Sequence, residues 1–396
     1  MSNGFSKTYR FLLIISTVML AALVASQFYH WRRIERLQKQ QGQMADQLET
    51  IHHLEIRDEE YRPLRLVPPE KRPELYPALS TFRPGLDTLG IFQRRVRTDI
   101  RRWIGLDEEL LQRKALTSSL GRENIDSLRV VREKVELSFE GFDHWSLRGY
   151  LLYPMEAQGP LPGVFCLNGH KGSAVGVAGL VEDYTYGYGL ALAAAGFKVL
   201  TFDWCFEGES RLVDSHGRVY HGHDSIFEYI SETGSTGLAL YMENACCALK
   251  ALKEDPAVDP ERVGVTGISR GGELTTYFAA LFSPDISGYY ASGAGFPFSY
   301  RKLGGGCKCT FVEQVFDNYE FSDLLAAAAP LPAGLQLGVR DQILGYFDNI
   351  DNLLEMARPV YAGLGKPQNF GLDIHDAAHV YRVDQALAFF KQHLKP

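Results

Sequence analysis

The chain has 396 residues, of which 45% are hydrophobic and 22% charged, with a net charge of −7. That length accommodates one large domain with appendages, the composition is that of an ordinary globular protein, and the acidic balance argues against nucleic acid as a partner. The six cysteines (Cys166, Cys205, Cys246, Cys247, Cys307, Cys309) are too few and too irregularly placed for a disulfide scaffold; neighbours this close in sequence do not bridge with normal geometry, so free thiols are expected.

The first feature along the chain is "FLLIISTVMLAALVAS", residues 11–26, which "QFYHW" extends to Trp31. This is about the 20 apolar residues a membrane helix needs, and Tyr29 and Trp31 suit a headgroup interface. Residues 1–29 are therefore expected to form a single-pass membrane anchor. The rival reading is a cleaved signal peptide, because Lys7 and Arg10 form a basic leader and Val24-Ala25-Ser26 is a run of small residues. The length of the apolar run favours the anchor. Lys7 and Arg10 on one flank face Arg32, Arg33, Arg36 and Lys39 on the other, so the side of the membrane is left undetermined.

Residues 30–60 read as a helical or coiled-coil stalk. Ile34, Leu37, Gln41, Met44, Leu48 and Ile51 follow a 3-4 spacing, which implies weak self-association through residues 34–51, with a lone amphipathic helix as the alternative. Residues 61–125 begin as a proline-rich spacer (Pro63, Pro68, Pro69, Pro73, Pro77, Pro84), where helix cannot continue. The segment "GIFQRRVRTDIRRWIGL" then places Phe92, Val96, Ile100, Trp103 and Ile104 on one helical face and its arginines elsewhere. This helix is expected to pack on the main domain, in preference to lying on a membrane surface.

Residues 126–396 change pattern. "EKVELSF" and "SLRGYLLYP" alternate like a hairpin. Apolar strands at 163–169, 198–203, 262–269, 289–295, 334–340 and 369–375 then alternate with helices near 185–196, 236–253, 270 onward and 382–394. Such alternation predicts an α/β fold, a mostly parallel central sheet with helices on both faces, with reactive groups at the strand C-termini.

The chemistry centres on "VGVTGISRGGEL". Ser269 follows an apolar strand and opens a helix, the context of a nucleophile elbow, with Gly267 and Gly271 two residues to either side. A serine nucleophile needs a base and an orienting acid, in the order Ser, acid, His in this architecture. His379, after the strand 369–375, is the candidate base, with His375 as a competitor better placed for a structural role. Asp341, just past the strand 334–340, is the candidate acid; Asp373 and Asp376 are nearer His379 in sequence but poorly placed to reach the correct ring nitrogen. Oxyanion donors are expected from the amide of Arg270 and from the loop "LNGHKGS", through the amide of His170 or, second to it, Lys171. The Arg270 side chain reads as structural, paired with Glu273 or Asp203, with contact to a substrate carboxylate or sugar hydroxyl as the alternative.

In these residues the chain resembles the α/β-hydrolase superfamily, and within it the dienelactone-hydrolase-like and acetyl-xylan-esterase-like branch. "NGHKG" is similar to its H-G-H-G oxyanion loop, with Asn168 in place of the first histidine. "DWCFEGES" (Asp203 to Ser210) is similar to its D-x-x-G-x-G-x-S stretch; "CKC" (Cys307–Cys309), "GVRD" (Gly338–Asp341) and "AAHVYRVDQALAFF" follow in the family's order. The resemblance implies an α/β-hydrolase fold and a serine hydrolase cleaving a carboxylic ester of a small molecule or carbohydrate. The same machinery serves a peptidase or amidase, and a non-catalytic interaction protein on this fold is the alternative from another class. No cofactor is expected, and no metal: His216, His221 and His223 supply no fixed ligand set and read as part of a substrate-lining loop, and Cys307 and Cys309 read as a packed, reduced pair in preference to a redox or zinc pair.

Overall fold

In the computed structural model, residues 88–395 are described, apart from 158, 171, 296, 297, 299–306, 339 and 342–356. The expected anchor, heptad stalk and proline-rich spacer fall on residues 1–87 and lie outside the described residues, as does Lys171. Among the described residues no helix is long and apolar enough to cross a membrane.

Strand β1 (Ala115–Ile125), β2 (Val130–Phe139) and β3 (Trp145–Pro154) form an antiparallel edge, to which β5 (Lys198–Phe202) adds antiparallel. From there the pairing turns parallel, through β4 (Leu161–Leu167), β8 (Val258–Ile268), β9 (Gly288–Ser292), β10 (Ala333–Gly338) and β11 (Phe370–His375). The sheet order is β1-β2-β3-β5-β4-β8-β9-β10-β11, and a small hairpin of β6 (Arg211–Val213) and β7 (Val219–Tyr220) pairs beside β3. The sheet is thus mixed, with its parallel part at the C-terminal end of the chain. β4, β5, β9 and β10 are buried along almost their whole length, as strands covered on both faces must be, whereas β2 and β3 alternate.

One face is covered by helices α1 (Leu89–Ile104), α3 (Gly237–Lys253), α4 (Arg270–Phe282) and α5 (Phe321–Ala328), which share a core with Phe165, Leu200 and Tyr289 of the sheet. The other carries α2 (Tyr188–Ala194) and α6 (Val383–Leu394), packed over Val164, Val199 and Ile268.

The arginine-rich helix α1 packs on this domain: Phe92, Val96, Ile100 and Ile104 are fully buried. It ends on Gly105 at φ 73°, a left-handed cap that glycine adopts without strain. Trp103 sits only half-buried at the margin, stacked obliquely near Tyr319. Arg97 does more than face solvent. Its Nε donates to Ala280 O (3.0 Å) and its Nη2 to Ala327 O (3.0 Å), so one guanidinium satisfies carbonyls in the last turns of both α4 and α5.

The sheet starts earlier than the sequence pattern indicated. β1 falls in 61–125, assigned to spacer and helices, yet pairs with β2 along its length. Its side chains are exposed from Leu116 to Asn124, so it carries no apolar alternation to read; backbone pairing at a sheet edge holds it.

The Arg97 contacts generate a stability prediction. Arg97→Ala strips hydrogen bonds from two helix ends and is expected to cost about 1.5–3 kcal/mol in thermal or urea unfolding. Arg94→Ala, exposed on the same helix, should stay within about 0.5 kcal/mol of wild type. Equal effects of the two substitutions would contradict the account.

Candidate active site

Ser269 stands between β8 and α4 with φ 62° and ψ −126°, a conformation that costs a non-glycine residue about 1–3 kcal/mol. Its amide donates to Ser292 O (2.9 Å) and its carbonyl accepts from Glu273 N (2.9 Å), so the turn is locked on both sides. The turn is also too crowded for side chains. A Cβ on Gly271 would lie 2.0 Å from Leu167 O, one on Gly267 2.5 Å from the Gly271 backbone, and one on Gly272 2.3 Å from Ser292 O. Gly267 and Gly271 are therefore needed for close backbone crossing at ordinary φ values, rather than for a left-handed turn.

Asp341 follows β10 and His379 follows β11, so both lie at the same sheet edge as Ser269. His379 Nδ1 is 2.5 Å from Asp341 Oδ2, with the carboxylate almost wholly buried. Gly338 makes this meeting feasible: a Cβ there would stand 2.4 Å from both Ala377 O and Ala378 O, the residues leading into His379. Gly293, at φ 58°, does the same on the other side. A Cβ on it would be 2.8 Å from His379 Cε1 and 3.5 Å from Ser269 N, so the imidazole edge and the elbow border one small space. Among the described residues His379 Nε2 is buried and has no hydrogen-bond partner, so it is not bonded to the Ser269 hydroxyl.

The rival groups are engaged elsewhere. Asp376 forms an exposed bidentate pair with Arg340 (2.9 and 3.0 Å), and Asp373 accepts from Gln336 Nε2 (2.9 Å). His375 is buried beside Gly338, and that burial pushes its pKa down.

The loop after β4 reaches the elbow directly. A Cβ on Gly169 would be 2.8 Å from Ser269 Cβ and 2.7 Å from Ile268 O, which puts the backbone leading to His170 against the serine. Arg270 is the first residue of α4, so its amide belongs to the first-turn N–H groups that have no partner within a helix. Asn168, where the family pattern has histidine, is a buried brace: its Nδ2 donates to Phe202 O (2.9 Å) and its carbonyl accepts from Trp204 Nε1 (3.3 Å). Tyr184 escaped the sequence reading. Its hydroxyl donates to His170 O (2.9 Å), its ring stacks on His379 at 6.0 Å, and Gly169 and Gly172 leave room for it.

The Arg270 side chain is fully buried, and its partner is neither Glu273 nor Asp203. Nη1 and Nη2 bind the two carboxylate oxygens of Glu207 at 2.8 and 3.0 Å; Nη1 also donates to Tyr241 Oη (3.1 Å) and Nη2 to Gly169 O (3.2 Å). The expectation missed because Asp203 faces away, accepting from Ala174 N (2.7 Å), with Gly208 pressed against its carboxylate. Burial raises the Asp203 carboxyl to about 6. Burial works in the same direction on Glu207, but the Arg270 guanidinium overrides it and holds Glu207 below its ordinary value.

Four further side chains meet beside this pair. His170 Nε2 is 3.4 Å from Cys309 Sγ, and His223 Nε2 is 3.1 Å from Cys307 Sγ. Their four ligand-type atoms all lie within 4.8 Å of one another. His216 and His221 are exposed and take no part. Read within one segment the histidines and cysteines looked unconnected; the fold joins three segments.

The Arg270–Glu207 pair predicts that Glu207→Gln leaves a buried guanidinium uncompensated and destabilises the fold by about 3–5 kcal/mol. Chemical denaturation of the variant checks this, and a loss below about 1 kcal/mol would show that the pair is dispensable.

Comparison with known proteins agrees with this architecture. The acetyl xylan esterase (AXE1) family matches residues 106–299, a span that includes the loop after β4 and the Ser269 turn but not Asp341 or His379. A Bacillus subtilis protein, YtaP, described as a hydrolase, is 24% identical over 277 residues, covering 66% of this chain and 84% of its own length. Among solved structures, a Bacteroides fragilis protein described as an acetyl xylan esterase superposes with a TM-score of 0.59 at 17% identity, covering 80% of this chain and 86% of its own. A glucuronoyl esterase from Teredinibacter turnerae gives 0.58 at 16% identity, covering 81% and 90%. The strand order, the glycine-lined serine turn and these matches agree: the chain has an α/β-hydrolase fold, is similar to the acetyl xylan esterase family over residues 106–299, and is an ester-cleaving hydrolase.

Proposed function

We propose that the protein is a serine esterase that removes an acyl group from a carbohydrate ester, acting through Ser269, His379 and Asp341. The observation that carries this reading is the short Asp341–His379 contact, with the imidazole edge bordering the Ser269 turn. The relatives described as acetyl xylan and glucuronoyl esterases support a carbohydrate ester as the substrate class.

In this mechanism Ser269 Oγ attacks the ester carbonyl carbon while His379 Nε2 takes its proton. Asp341 holds Nδ1–H and so fixes the tautomer in which Nε2 is the base. The carbonyl oxygen, now negative, receives the amides of His170 and Arg270; the latter sits at the positive end of α4. His379 returns its proton to the departing sugar oxygen, leaving an acyl-serine. A water deprotonated by the same ring then releases the acid and restores Ser269. Before this can begin, the Ser269 hydroxyl must turn toward Nε2, a contact that in many hydrolases forms only when substrate is bound.

The N-terminal segment extends the reading. Residues 11–29 anchor the enzyme in a membrane, and residues 34–51 associate weakly with a second copy.

Triad members act as a unit, so Ser269→Ala and His379→Ala should each lower kcat for an acetyl ester by about 10⁴-fold or more, with the double variant little worse. Asp341→Asn should be severe through a misoriented ring, whereas Asp376→Asn should keep near-normal turnover. Additive losses, or damage from Asp376→Asn in place of Asp341→Asn, would remove the assignment. For the anchor, the full chain should stay with membranes through high salt and carbonate, and deletion of residues 1–60 should release an active hydrolase. Recovery of a soluble mature chain beginning near Ser26 would make the segment a signal peptide instead.

A further inference from the structure

The geometry of His170, His223, Cys307 and Cys309 points to a binding site for one tetrahedral, thiophilic metal ion, Zn²⁺ in chemical class, that pins the oxyanion loop from behind. Two thiols and two imidazoles are the ligand set of a closed structural zinc site. With Zn–S of about 2.3 Å and Zn–N of about 2.0 Å, tetrahedral ligands stand about 3.3–3.8 Å apart. Here the two N···S distances are 3.4 and 3.1 Å, and no pair of ligand atoms exceeds 4.8 Å. Drawing the wider pairs together by about an ångström closes the tetrahedron.

The ligands' surroundings match that role. Cys307 caps the short helical turn Lys308–Thr310, and Cys309 N lies 3.4 Å from Cys307 Sγ, an N–H···S contact that stabilises a thiolate. Cys309 is buried, and the other three are half-buried, so the cluster is shielded yet reachable. Glu207 Oε1 lies 3.7 Å from His223 Nδ1, with Arg270 Nη1 at 3.3 Å from the same atom, so a small shift of the carboxylate brings it to the position from which it would orient a metal-bound imidazole. Charge balance also favours a dication. Two thiolates neutralise it, so the loaded site adds no net charge beside the buried Arg270–Glu207 pair. Two protons leave the thiols on binding.

The consequence for catalysis follows from His170. Its side chain is a ligand, its carbonyl is held by Tyr184, and its amide is the oxyanion donor of the mechanism above; this part of the inference rests on that mechanism, while metal binding itself does not. An ion tying His170 to His223 and the Cys307–Cys309 turn removes the loop's freedom to drift from the transition-state oxygen.

The test uses the full chain, reduced and purified, with Zn²⁺ and Co²⁺ as probes. One Zn²⁺ per chain should survive desalting, and Zn²⁺ should protect Cys307 and Cys309 from alkylation. Co²⁺ should give the intense visible bands of a tetrahedral site with thiolate charge transfer. Cys307→Ser/Cys309→Ser should lose the ion; the Co²⁺ spectrum and the alkylation of the unmodified chain test the site without relying on the folding of that variant. Removing the ion with a chelator should lower kcat by about tenfold or more with little change in KM, and Zn²⁺ should restore it. A reduced chain that retains no Zn²⁺, gives no tetrahedral Co²⁺ spectrum and is alkylated equally with and without Zn²⁺ would overturn the site. Metal binding without any effect on kcat would overturn its positioning role alone. Metal binding in a chain that cleaves no ester would leave the site standing and defeat the esterase reading.

Discussion

The closest backbone approach at any described glycine is the crossing of the β4 end over the start of α4, where the carbonyl of Leu167 leaves no space for a Cβ on Gly271. Because the two backbones touch there, β8 can turn sharply into α4 and hold Ser269 at positive φ. The same contact brings the loop after β4 against the serine. Gly169 meets Ser269, so the loop that carries His170 is fixed by the turn that carries the nucleophile candidate. A second set of close approaches, at Gly338 and Gly293, fits the His379 segment to the same spot. The site is assembled by backbone packing, and its side chains follow.

Arg270 shows how that packing is secured electrostatically. Its amide lies in the first turn of α4 while its guanidinium runs inward to Glu207, Tyr241 and the carbonyl of Gly169. One residue thus ties α4, the loop after β5 and the loop after β4 into one charged network. The rings of Trp204 and Tyr241 lie 5.7 and 5.2 Å from the guanidinium carbon, adding cation–π contact in a setting with little water. Three side chains of the "DWCFEGES" stretch brace the fold: Asp203 binds Ala174 N, Ser210 Oγ donates to Asp203 O (2.7 Å), and Glu207 neutralises Arg270.

Much of this was legible in the sequence, for a physical reason. Strands β4, β5 and β8 to β11 are apolar runs, and the glycines around Ser269 advertise a turn with no room for side chains. The meeting of Asp341 with His379 followed from their places at the ends of adjacent strands. What stayed hidden depends on contacts between distant loops. β1 buries almost nothing, so no alternation marks it. Tyr184 and the cluster of His170, His223, Cys307 and Cys309 come from segments with no shared spacing, and only the fold brings them together. Arg270 has the structural role expected of it but a different partner: sequence proximity favours Glu273, whose carboxylate instead accepts from Thr310 (3.2 Å).

The account stands or falls on whether Ser269 is the nucleophile. The most direct measurement is covalent: treat the full chain with a fluorophosphonate probe, digest it, and map the adduct by mass spectrometry. The account predicts a single phosphonylated residue, Ser269, with ester hydrolysis lost in proportion to labelling. An adduct on another residue, or a fully active chain that takes up no probe, would contradict it.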